Sequence, residues 1–166
     1  RASILALVAS RAAVPKSDPL IKVLKKKKLI NFLTDDEVTF LEIKKPEKEK
    51  LIKFSWRFES CYVLMWALGF FDSLNYPDSI CNTKELVSLI NTKTIAEINK
   101  NPKLRAVEQI LDELDFMYRL HWAVKNDTEN PNTARLIPEV IYERHYALNW
   151  LINYMNKPWD QVQTNT

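Results

Sequence analysis

The stretch Leu51-Ile52-Lys53-Phe54-Ser55-Trp56-Arg57-Phe58-Glu59-Ser60-Cys61-Tyr62-Val63-Leu64-Met65-Trp66-Ala67-Leu68-Gly69 decides the fold class. Leu51, Phe54, Phe58, Cys61, Met65 and Leu68 recur at helical spacing, and Ile52, Trp56, Val63 and Trp66 form a second stripe beside them. A helix apolar on almost every side belongs in the middle of a domain. Pro46 suits its first turn, and Gly69 suits a left-handed C-terminal stop. The spacing therefore predicts a buried central helix over 46–69. Glu59 falls inside the second stripe, so it reads as a buried carboxylate that needs a partner.

Further helices are predicted on both sides. One runs from the start to about Ala13, ended by Pro15. Ser17-Asp18-Pro19 marks the next start, with Leu20, Ile21 and Leu24 as its apolar face. Thr34-Asp35-Asp36-Glu37 is a capping box, flanked by Leu33 and Val38 at the staple positions. Asn82 to Glu85 opens a short helix through Ile90, and Thr94 a second one. Pro102 opens a long helix to about Asn126, with Leu104, Val107, Leu111, Leu114, Tyr118 and His121 as its inward stripe. Asp112, Asp115, Arg119 and Trp122 run beside that stripe. Residues 127–137 read as a polar loop, Pro138 opens a last helix to about Met155, and 157–166 form a tail. Strand-like alternation is nearly absent. The expectation is an all-α single domain over 1–166, an irregular helical bundle of about six to eight helices around 46–69.

Composition narrows the function classes. A single glycine among 166 residues leaves no phosphate-cradling loop and no dinucleotide fingerprint. No cofactor is expected. Residues 1–53 carry 13 Lys+Arg against 7 Asp+Glu, and residues 54–166 carry 11 against 14. The basic peak, Lys25 to Lys28, reads as a solvated helix end. It lacks interleaved aromatics or arginines, so no nucleic acid is expected. Cys61 and Cys81 show no metal-ligand spacing and point to a reducing cytoplasm. The apolar run Ile4 to Ala9 is far short of the ~20 residues that cross a bilayer, so no membrane is expected. The first residue is arginine, which predicts a trimmed N-terminus.

In Tyr142-Glu143-Arg144-His145-Tyr146-Ala147-Leu148-Asn149-Trp150, three adjacent ionisable side chains sit in an otherwise apolar helix. At about 100° per residue they sweep a wide arc, so at least one faces inward. Arg144 lies on the line of Ile141, Leu148 and Leu151, and Glu59 is its natural mate, because a guanidinium fork takes a carboxylate bidentately. Asp115 and Arg119 are four apart and can pair along one helix. The candidate polar network is Glu59, Asp112, Asp115, Arg119, Arg144, Asn149, Trp159 and Asp160. Trp122, Tyr154 and Trp159 are candidate surface aromatics, with Trp159 preferred as an anchor for the tail. His121 and His145 could act as general bases near neutral pH, oriented by Glu59, Asp112 or Glu143. Glu143 and His145 are two apart and point away from each other, which does not suit the Glu-x-x-His pattern of helical metal sites. No metal is expected.

Five segments together carry a family resemblance. They are Arg105 to Asp112 running on to Tyr118–Val124, then Tyr142–Trp150, then Trp159-Asp160 with Thr164-Asn165-Thr166, and upstream Trp56–Glu59 and Leu64–Gly69. The chain resembles the bacterial domain-of-unknown-function family 4272, loosely before residue 50 and closely after 100. The resemblance lends no reaction, substrate or cofactor, and implies a bacterial, cytoplasmic protein. In the tail, Gln161 and Asn165 stand where the family carries carboxylates, while Asp160 remains.

The expectation from these readings is a non-enzymatic interaction or accessory protein whose Glu/Asp-Arg-His network holds the helices together. Another protein is the expected partner, with the oligomeric state left open. The alternative is a small hydrolase using His121 or His145 as base.

Overall fold

The computed structural model describes residues 1–14, 24, 28–92, 104–126 and 131–166. The expected helix start at Ser17-Asp18-Pro19, the turn at Pro15, the helix at Thr94 and the lysines 25–27 lie outside these residues.

The protein is all-α. Among the described residues the helices are α1 (Ala2–Ala13), α2 (Asp35–Glu42), α3 (Lys48–Ser55), α4 (Arg57–Ala67), α5 (Thr83–Thr92), α6 (Val107–Asn126) and α7 (Pro138–Leu151), with 3-10 turns at Ile30–Phe32, Tyr154–Asn156 and Trp159–Gln161. α4 packs between α1 and α7, α6 lies on α7, and α3 lies on α1.

The central helix is shorter than 46–69. It breaks at Trp56, where the amide of Glu59 turns back to the Trp56 carbonyl over 2.9 Å in a 3-10-type bond. Only α4 is buried all round, from Phe58 to Ala67. α3 buries Phe54 and leaves Ile52 half exposed. The second central element is α1, whose two faces serve two cores. Leu5 and Ala9 join α4 in the larger core, while Ile4, Val8 and Ala12 pack on Phe40 and Phe54 in a smaller one. The alanines of α1 let backbones approach closely, so a short helix fits between two layers.

Local signals explain most of the ends. Thr34 accepts the Glu37 amide (3.3 Å) while Glu37 accepts the Thr34 amide (3.0 Å), closing the capping box. Asn82 caps α5 through the Glu85 amide at 3.2 Å. Gly69 has φ 78°, with Phe70 N–H bonded to Met65 O and Gly69 N–H to Trp66 O, which completes a left-handed stop.

Three helix readings are corrected. α6 begins at Val107, not at Pro102, because Arg105 is spent on capping α4. Its amide donates to Ala67 O (3.0 Å), and its guanidinium reaches Trp66 O, Phe71 O and Asp72 O. The inward line of α6 is Ile110, Leu114, Met117 and His121, while Val107, Leu111 and Tyr118 face outward with the non-helical Leu104. Both lines have helical spacing, so period alone did not separate them. α7 stops at Leu151, where Asn153 turns left-handed at φ 57°.

Candidate functional site

α7 carries the polar centre. Glu143, Arg144 and His145 are all buried, each with its own partners. Successive residues 100° apart can do this only on a helix enclosed by α4, α6 and the 70–82 segment.

Arg144 is fully covered, and its Nε donates to Glu59 Oε2 over 2.9 Å. Its Nη2 donates to Asn75 Oδ1 (2.9 Å) and its Nη1 to the Asn75 carbonyl. The other Glu59 oxygen accepts the Cys81 amide at 2.6 Å. Residues 70–82 have no helical ladder, so their inward backbone groups need partners. The ion pair supplies them, and thereby clasps an irregular segment against two helices.

Glu143 also meets α4, on the side of Arg57 and Ser60. Arg57 Nη1 donates to both its oxygens (3.1 and 3.2 Å), and Ser60 Oγ reaches Oε2 at 2.5 Å. Burial nonetheless holds the Glu143 pKa above the usual carboxylate range, against the opposing effect of Arg57 and Ser60.

His145 turns to α6, where its Nδ1 lies 2.9 Å from Nδ1 of His121. Tyr118 meets His145 edge-on, and Tyr142 meets His121 likewise. Burial pushes His121 below its ordinary value, and burial with the neighbouring imidazole brings His145 down to about 4. With both rings neutral, one Nδ1 donates and the other accepts, so their tautomers are linked.

Asn149 ties the tail down, its Nδ2 donating to Gln163 O at 2.8 Å. Trp159 is buried edge-on against Tyr146 and Trp150, and its carbonyl accepts the Tyr146 hydroxyl. Trp122 and Tyr154 are exposed.

Asp112, Asp115, Arg119 and Asp160 do not join this centre. Asp115 and Arg119 form an exposed i,i+4 pair at 2.8 Å, while Asp112 and Asp160 are on the surface. The line that holds them is the outer face of α6 and the outer edge of the tail. Of the two arginines in the expected network, Arg144 is inside and Arg119 is not. Arg57, Ser60, Asn75 and Arg105 were missed by sequence reasoning. Arg57 and Ser60 stand one turn apart on α4 facing Glu143, a pairing that crosses 83 or more positions and has no local signature.

Two clefts flank the histidine pair. One, about 370 Å³, is lined by Lys53, Trp56, His121, Lys125, Tyr142 and Glu143. The other, about 340 Å³, includes Leu111, Leu114, Tyr118, His145 and Asn149 in its lining. A base with a pKa near 4 is poorly matched to proton transfer at neutral pH. The free thiols are also suppressed: burial raises Cys61 to about 12, and burial with Glu59 raises Cys81 further. Among the described residues no group of three His, Cys, Asp or Glu side chains has metal-binding geometry. Nor is any helix among them long and apolar enough to cross a membrane.

A protein-family model described as Domain of unknown function (DUF4272) matches residues 1–162. The chain belongs to the DUF4272 family. No curated protein and no solved structure matches it.

Proposed function

We propose that this DUF4272 protein is a non-enzymatic interaction or accessory module of the bacterial cytoplasm, working through its surface while its ionisable groups hold the fold. The observation that carries this reading is the state of the polar centre: Glu59, Arg144, His121 and His145 are each no more than 4% exposed and engaged with one another or with backbone. Groups saturated in this way stabilise a structure and leave little capacity for a substrate. The two unpaired cysteines fit a reducing compartment.

One observation favours the hydrolytic alternative, since His121 and Glu143 line the same cleft. Against it, the Glu143 carboxylate is already held by Arg57 and Ser60. A panel of ester, amide and phosphoester substrates separates the readings, tested on the wild-type chain, His121→Asn and His145→Asn. The interaction reading expects equal, background rates in all three. A turnover abolished in either variant, with its melting curve retained, would overturn that reading in favour of the hydrolase.

A further inference from the structure

We propose that the outer face of α6 pairs two copies of this chain, antiparallel about a two-fold axis; the proposal deepens the reading of the chain as an interaction module and rests on it. Val107, Leu111, Tyr118 and Trp122 are 56%, 46%, 44% and 50% exposed. At 100° per residue they fall within an arc of about 60° on one helix face. α6 meets α7 through Ile110, Leu114, Met117 and His121, a line centred about 80° away around the helix, and among the described residues the stripe touches α7 at its edge, where Tyr118 meets His145. Four large apolar side chains aligned on a surface helix mark an interaction face, unlike apolar residues scattered singly.

The stripe is self-complementary. Val107 and Trp122 are equally far from a midpoint between Leu114 and Asp115, and so are Leu111 and Tyr118. In a two-fold contact residue i meets j while j meets i. An axis through that midpoint sets Trp122 of each copy over Val107 of the other, and Tyr118 over Leu111, a large ring against a smaller side chain at all four places. The cleft lined by Leu111, Leu114 and Tyr154 runs beside the stripe and gives the rings room.

Charge agrees with this register. Asp115 borders the stripe, about 20° beyond Trp122, and stands next to the midpoint, so the axis brings two Asp115 side chains together. Helical side chains lean toward their own N-terminus, which directs each Arg119 toward the axis. Each arginine already binds its own Asp115 at 2.8 Å. Two copies then form a closed ring of two carboxylates and two guanidiniums with no net charge. A single polar position in an apolar seam specifies register and partner number.

Sedimentation equilibrium of the full chain over micromolar concentrations tests this, with circular dichroism melting as the check on folding. The expected wild-type mass is twice that of one chain. Leu111→Arg should weaken association by at least ~10-fold with an unchanged melting curve, since it buries an unpaired charge in the seam. Asp115→Arg should do the same by gathering four arginines at the axis, and Asp115→Arg with Arg119→Asp should restore pairing to within ~3-fold. A monomer throughout, or a dimer indifferent to Leu111→Arg and Asp115→Arg, overturns the proposal. Either result leaves the substrate-panel comparison untouched, so the pairing face and the interaction reading fail separately.

Discussion

Nδ1 of His121 lies 2.9 Å from Nδ1 of His145, with the two rings perpendicular. The contact joins α6 to α7 and places two titratable groups where only one proton fits between them. Protonating both would set two positive charges together in a dry interface, so the folded state favours the neutral pair.

That preference makes stability depend on pH. Both imidazoles have folded pKa values below 6.5, His145 at about 4, so the unfolded chain binds protons first as pH falls. Unfolding free energy should therefore rise with pH between about 4 and 6.5 and be lost as pH falls through that window. Glu143, whose folded pKa is raised, acts in the opposite sense above its ordinary value. The diagnostic is thus a difference: urea unfolding at several pH values should show a shallower rise in His145→Asn than in the wild type. Parallel curves would count against the pair as the source.

The Glu59–Arg144 contact should behave as a coupled unit. Glu59→Leu or Arg144→Met alone leaves a buried charge without its mate and should cost about 3–5 kcal/mol. The double variant should lose clearly less than the sum of the two in denaturant titrations. The Cys81 amide, released from Glu59 Oε1, should exchange its hydrogen faster in Glu59→Leu. Additive losses with unchanged exchange at Cys81 would remove the clasp from the account.

Both thiols should be inert while the protein is folded. Cys61 and Cys81 are buried, and their pKa values are raised well above neutral pH. Since the thiolate is the reactive species, a disulfide-exchange reagent at about pH 8 should label neither in native buffer and both in denaturant. Fast native labelling would show that the core opens.

Gly69 is the chain's one glycine, and its φ of 78° closes the end of α4. Gly69→Ala should destabilise by roughly 1 kcal/mol, because a Cβ opposes the left-handed conformation. A melting temperature equal to or above that of the wild type would show that this turn tolerates a side chain.

The same glycine shows what was legible in the sequence. A positive φ is a local demand with one favoured residue, so the stop was readable. The Thr34 capping box was readable for the same reason, since its partners lie three positions apart. The inward path of Arg144 followed from its line with Ile141 and Leu148. Arg105 was not readable as a cap: it serves carbonyls 33 to 39 positions earlier, and taking that role moved the start of α6 to Val107. The face of α6 was misread because Leu111 and Leu114 lie on lines of equal periodicity, and only docking against α7 selects between them.

The sequence by itself determined that this chain is helical, that α4 lies inside, where several helices begin and end, and that Glu59 and Arg144 need partners. Those are matters of period, capping and desolvation, each written within a turn or two of chain. Tertiary structure alone decided that Glu143 belongs to Arg57, that His121 meets His145, and that Asp115 and Arg119 lie on the outer face of α6. A side chain's partner depends on which surfaces meet, and helices of equal periodicity can dock along more than one line until the rest of the core excludes the others.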